Sequence, residues 1–207
     1  FFFQPEPAIR DAQESRGLGD VYKRQNYVGE LGWELHHPMR QMESLYDSIY
    51  EAGKKENIIN FGTYAVNSLR MEKAYRGWGA ELTGEISLVE AGMDRFFNLK
   101  KKDNFFGAKA LQNKIQSGVD IKIVYLEVDV DNADARGNEP VYHNNKIVGV
   151  VTSGGYGFRT KKSLAFAYVK SDFVGDSNLE IEIQGKKRKV KILHKVVYDP
   201  ENKKLTA

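Results

Sequence analysis

Apolar positions recur at helical spacing in the stretch that opens with Met42 and continues through Leu45, Ile49 and Ala52, and Gly53 then stands where a helix would stop. The pattern therefore predicts a helix ending at that glycine. A second helix is predicted to begin after Gly62 and to carry Ala65, Leu69 and Glu72 through "TYAVNSLRMEKAY". "FFGAKALQNKI" at 105–115 predicts a third, shorter one. Ahead of them, "YVGELGWELHHP" at 27–38 reads as a glycine-bent strand pair stopped by Pro38.

After Gly118 the period changes from helical to two. "IKIVYLEVDV" alternates from Val124 through Leu126 and Val128. "EPVYHNNKIVGVVTSGG" predicts a hairpin whose Asn144-Asn145 pair suits a tight primed turn, and "LEIEIQGKKRKVKIL" predicts another around Gln184-Gly185. With "LAFAYV" as a further strand, a small antiparallel β-barrel is the economical way to leave no strand edge open. The fold class expected is α+β, with a mixed domain over 26–117, a β-barrel domain over 118–207, and the boundary near Ser117-Gly118.

At 207 residues the chain suits one domain or two small ones, and 41% hydrophobic with 29% charged residues is the composition of a soluble globular protein. No apolar run approaches the roughly 20 residues of a membrane helix, so no membrane partner is expected. A net charge of +3 is too small an excess to indicate nucleic acid. The absence of cysteine excludes disulfides and thiolate chemistry, and fits a reducing cytoplasm. His36, His37, His143 and His194 have no metal-ligand spacing, and no metal site is predicted.

Three strings invite a chemical reading. "KKRKVK" at 186–191 reads best as a solvated strand, because Leu179, Ile181 and Ile183 share a face with Val190 and Ile192, leaving Glu180 and Glu182 to meet the cations outside. "TSGGYG" at 152–157 lacks dinucleotide or phosphate-loop spacing and is expected to be a barrel turn. In "YVGELGWEL" and "SLRMEKAYRGWGAEL", Glu30, Glu34, Arg70 and Glu72 suit a structural charge network. Alternatively, Glu34 near Tyr27 and Trp33 offers what a flat heterocycle with adjacent N–H donors needs, an acceptor for two parallel hydrogen bonds and an aromatic face.

Taken in order, "YVGELGWEL", "SLRMEKAYRGWGAEL", "SLVEAGM", "FFGAKAL", "VGVVTSGGYG", "LAFAYV" and "YDP" resemble the folate-binding region that ends dimethylglycine and sarcosine dehydrogenases. That region is itself similar to the aminomethyltransferase, or T-protein, of the glycine cleavage system. The resemblance covers essentially all of 26–207. It implies a partial T-protein-like folate domain followed by a barrel, serving an oxidoreductase that oxidises an N-methylated glycine. A separate FAD domain of the same chain would make an iminium, and tetrahydrofolate would capture its one-carbon unit as 5,10-methylenetetrahydrofolate. No flavin or nicotinamide fingerprint occurs in the chain, so FAD is expected only upstream.

By the same resemblance, Tyr27 packs against the pterin, Glu34 accepts hydrogen bonds from its pyrimidine edge, Leu35 and His36 line the same wall, and Tyr198 of "YDP" reaches the folate. Val66 stands where the stand-alone T-protein carries a folate-contacting arginine, which favours the dehydrogenase branch. Arg95 stands where some dehydrogenases have a folate-contacting tyrosine. The family's catalytic aspartate belongs to a segment before "YVGE", and neither Asp11 nor Asp20 is in a context to replace it. No catalytic residue is therefore expected here, and the fragment alone is expected not to turn over, because such a site gains its rate by positioning. The competing readings are a piece of a stand-alone aminomethyltransferase or demethylase, and a non-catalytic, regulatory folate-binding relative.

Positions 1–25 fit neither helical nor strand periodicity and lack an initiator Met. "QESRGLGDVYKRQ" resembles the translated read-through of a sequencing adapter. This stretch is expected to be foreign, irregular and without function. Because it holds four basic and four acidic residues, setting it aside leaves the net charge at +3.

Overall fold

The computed structural model describes residues 21–22, 27–100 and 105–205. The chain divides into two compact units, Phe1–Val66 with Glu201–Ala207, and Asn67–Pro200.

In the first unit, β1 (Val21–Tyr22) pairs antiparallel with β2 (Glu34–Leu35), Val21 opposite Leu35 and Tyr22 opposite Glu34. The strand pair expected within 27–38 is not formed. Residues 27–31 are bends, and the buried Gly29 turns the chain at a φ of 75°, which leaves only Glu34–Leu35 extended. The partner strand comes instead from within 1–25, where no regular element was expected. The remaining positions of that stretch lie outside the described residues. Nearer the other terminus, the Leu31 N–H donates to the Lys204 carbonyl at 3.1 Å.

Helix α1 (Met42–Gly53) ends at the predicted glycine. A Cβ on Gly53 would sit 2.8 Å from the Ile58 side chain, so the returning chain uses the absence of a side chain there. A 3-10 turn at Lys54–Glu56 follows, and Asn57 reverses the backbone at a φ of 57°. The apolar stripe that defines α1 in sequence buries none of its residues. Helix α2 (Thr63–Glu72) starts after Gly62 as predicted, and its last turn holds the buried Ser68, Arg70, Met71 and Glu72.

The second unit contains α3 (Ala108–Ser117) and six antiparallel strands: β3 (Ile121–Val128), β4 (Pro140–His143), β5 (Lys146–Gly157), β6 (Lys162–Lys170), β7 (Leu179–Ile183) and β8 (Lys186–Ile192). They close into a barrel in the order β3-β6-β5-β4-β7-β8. Alternation explains its two cores. Leu126, Val151, Ala167, Leu179 and Ile181 fill the interior, while Tyr125, Leu164 and Phe166 point outward and pack with Met71 of α2. The Tyr125 hydroxyl fastens that seam by donating to the Met71 carbonyl at 2.7 Å.

Both predicted hairpins form, with Asn144 and Asn145 at φ of 47° and 65°, and Gln184 and Gly185 at 51° and 75°. The basic run is β8, and Glu180 and Glu182 stand opposite Lys189 and Lys187. "TSGGYG" is not a turn. It is the second half of β5, a twelve-residue strand that passes a bulge between Val151 and Ser153. Its glycines permit close approach: a Cβ on Gly154 would lie 2.4 Å from the Ala135 carbonyl oxygen. Among the described residues, no helix is long and apolar enough to cross a membrane.

Candidate functional site

Tyr27, Glu34, Leu35 and His36 all belong to the first unit, and all are exposed. The structure brings two of them together, with His36 Nε2 at 3.6 Å from Glu34 Oε2. The Glu34 side chain is 49% exposed. A carboxylate held this loosely keeps lone pairs for a pair of parallel N–H donors, and Tyr27 offers part of an aromatic face. An acceptor and a ring face of this kind fit the N–H edge and the flat face of a reduced pterin.

Tyr198 belongs to the second unit and is partly buried. Its N–H donates to the Glu72 carbonyl at the end of α2, 3.2 Å away. Its ring lies 5.5 Å from the Arg159 guanidinium carbon, within the range of a cation–π contact, and Arg159 Nη2 stands 3.4 Å from its hydroxyl.

The charge network expected of Glu30, Glu34, Arg70 and Glu72 takes another form: Arg70 and Glu72 are both buried, but Arg70 pairs with Glu81, which sequence reasoning passed over, and Glu72 bonds Thr160. Arg70 Nη1 is 3.2 Å from Glu81 Oε2, with side chains 6% and 0% exposed. The Gly77 N–H donates to the same oxygen at 2.6 Å, while Thr152 Oγ1 and Ser153 Oγ donate to Oε1 at 2.6 and 2.5 Å. Asn67 accepts from Arg70 Nε and Nη2 at 2.9 and 2.8 Å, which orients the guanidinium. A buried carboxylate is tolerable only when paired and bonded in this way. No periodicity marks Glu81 in sequence; its one signal is an acidic residue in a glycine-rich loop beside a positively charged helix end.

Glu72, also buried, accepts from Thr160 N and Oγ1 at 2.6 and 2.8 Å and so closes the turn between β5 and β6. Gly157 makes room for it, since a Cβ there would lie 2.7 Å from Glu72 Cγ. The Tyr168 hydroxyl donates to the Glu81 carbonyl at 2.9 Å, and burial, then the Glu81 charge, pushes its ionisation well above the ordinary tyrosine value. Burial likewise raises Tyr125. At Glu90 burial is the largest single effect and works to raise the carboxyl. The Lys114 ammonium at 2.7 Å and the Ser87 N–H and hydroxyl, both at 2.7 Å, together outweigh it and hold Glu90 below the usual carboxylate value.

A concavity of about 640 Å³ opens at one end of the barrel, lined by Val128, Asp131, Tyr156, Lys162 and Ser163 among others. None of the predicted site residues lines it. Its four acidic and four basic side chains balance, and size alone gives it no chemistry.

Residues 13–101 match the model of the GCVT N-terminal domain, and residues 122–199 match that of the glycine cleavage T-protein C-terminal barrel domain. The first match begins inside the 1–25 stretch, so its range and the boundary expected at Asn26 do not coincide. Human mitochondrial dimethylglycine dehydrogenase is 45% identical over 165 residues, 79% of this chain and 19% of that protein. Mouse mitochondrial sarcosine dehydrogenase is 32% identical over 190 residues, 88% of this chain and 21% of that protein. The aminomethyltransferase of Anoxybacillus flavithermus is 30% identical over 187 residues, 90% of this chain and 51% of that protein. The chain thus spans about a fifth of the dehydrogenases and half of the aminomethyltransferase. The crystal structure of the glycine cleavage system aminomethyltransferase T from Bartonella henselae superposes with a TM-score of 0.75 at 24% identity, covering 86% of this chain and 51% of that one, and shows the same fold. With both consecutive domain models matched in order over an α+β region and a closed barrel, this chain belongs to the glycine cleavage T-protein family.

Proposed function

We propose that this chain is the tetrahydrofolate-binding portion of an FAD-dependent dimethylglycine or sarcosine dehydrogenase. In that role it captures the one-carbon unit of the demethylated amine as 5,10-methylenetetrahydrofolate. The observation that carries the reading is the 45% identity to dimethylglycine dehydrogenase, against 30% to the aminomethyltransferase. Tyr27 packs on the pterin, Glu34 accepts from the pyrimidine edge, Leu35 and His36 complete that wall, and Tyr198 reaches the folate. The loosely held Glu34 carboxylate supports its part in this assignment. FAD, in a domain of the same polypeptide ahead of this region, would supply the oxidation that makes the iminium. The domain division at 117–118 and a reducing, cytoplasmic setting belong to the same proposal.

The second reading is a stand-alone folate-dependent aminomethyltransferase, favoured by an alignment that runs over 90% of this chain and half of that relative. Purifying the product of the complete gene distinguishes the two. Bound flavin together with tetrahydrofolate binding supports the dehydrogenase, whereas a short, flavin-free folate binder supports the aminomethyltransferase. A product that binds no tetrahydrofolate overturns both.

A further inference from the structure

Lys73 directly follows α2, and its amine is turned inward, with 1% of the side chain exposed. Its Nζ donates to the Asp199 carbonyl at 2.8 Å and lies 3.6 Å from Asp199 Oδ2, on a carboxylate itself 9% exposed. One residue earlier on each segment, the Tyr198 N–H donates to the Glu72 carbonyl at 3.2 Å. Two consecutive residues at the helix end thus hold two consecutive residues of the "YDP" turn. Asp199 is kept at a φ of 43°, a left-handed conformation that a non-glycine residue adopts only where its surroundings enforce it. The opposite end of Tyr198 is met by Arg159, at the ring and at the hydroxyl.

A buried ion pair of this kind adds little to stability over a well-packed apolar pair, and in some proteins such a pair selects one arrangement among several. An apolar side chain at 73 could fill the space but could not choose the register of the turn. We propose that Lys73 is a positioning residue: by strapping Asp199 to the end of α2 it sets the backbone register that presents the Tyr198 ring for folate. This rests on the reading of Tyr198 as a folate-contacting residue. The neighbouring Glu72 serves the same end through its backbone carbonyl while its carboxylate holds Thr160, so one helix terminus orders both the tyrosine and the turn that carries Arg159.

The test uses the complete protein and tetrahydrofolate titration on Lys73→Met, Tyr198→Ala and the double variant, with Asp199→Asn as a milder break that keeps the backbone acceptor. Lys73→Met is expected to weaken binding about tenfold, within the coupling range of contacting residues, and to add nothing once Tyr198 is alanine. Asp199→Asn is expected to weaken it less, in the same direction, and Lys73→Arg to recover part of the loss. If Lys73→Met weakens binding equally with and without Tyr198, the strap is overturned while the tyrosine contact stands. If Tyr198→Ala leaves affinity unchanged, the folate reading of Tyr198 falls and the strap with it. Should Lys73→Met not fold, Asp199→Asn against Tyr198→Ala gives the same cycle, and additive losses there are equally fatal to the inference.

Discussion

Arg70 and Glu81 form a buried ion pair, and two barrel hydroxyls, Thr152 and Ser153, donate to the same carboxylate. Removing one partner strands the other. Arg70→Met or Glu81→Leu is expected to destabilise the fold by about 3–5 kcal/mol, and the double apolar replacement by clearly less than the sum of the two. Urea unfolding monitored by circular dichroism measures each value. Near-additive losses would show that the two charges do not act as a pair.

Glu34→Gln keeps the shape of the side chain and removes its charge. If the carboxylate accepts from the pterin edge, tetrahydrofolate affinity of the complete protein is expected to fall by about 1.5–3 kcal/mol. Titration calorimetry reads this directly, and unchanged affinity takes Glu34 out of the binding site.

Glu90 is a depressed carboxyl, so its stabilising contribution is fully present above the unfolded-state value near 4.5 and is lost as pH falls through the lower folded-state value. Below pH about 4.5, stability is expected to fall less steeply in Glu90→Gln than in the parent, because the variant has already lost that contribution. Parallel acid slopes in chemical denaturation at several pH values would refute this assignment. The two raised phenols act at the other end. Tyr125 and Tyr168 contribute fully below about pH 10 and progressively less as pH climbs from there toward their folded-state values.

Gly154 lies against the Ala135 carbonyl, whereas Gly84 has nothing within 4 Å of where a Cβ would stand. Gly154→Ala is expected to cost about 1–3 kcal/mol through overpacking, and Gly84→Ala close to nothing. Thermal unfolding of the two variants makes the comparison, and equal melting temperatures would mean that the strand can shift to accept the methyl.

Elements governed by local chemistry were legible in the sequence. Met42 to Gly53 announced α1 through spacing and a stop, and Asn144-Asn145 and Gln184-Gly185 announced hairpins because few residues tolerate positive φ. Long-range determinants were not legible. Glu81 is buried because Arg70, eleven residues earlier, and Thr152, seventy-one residues later, converge on it, and no window of sequence contains that meeting. "TSGGYG" looks like a turn because glycines make turns. Here Gly154 and Gly157 serve instead to let Ala135 and Glu72 pass close to β5. Of the candidate site, the resemblance named the residues, and the adjacency of Glu34 and His36 follows from the extended backbone at β2. The strap on Tyr198 joins positions 126 apart and was beyond reach of any local reading.

Helix α1 buries none of its twelve residues, so it draws little on the force that holds most protein helices. Its persistence is then governed by the helix–coil equilibrium of a segment only about as long as the shortest that is stable in water. Its amides are expected to exchange with deuterium through local fraying, on a far shorter timescale than those of β3 and β6, whose release requires the barrel to open. Two halves of one small chain would thus report two separate clocks.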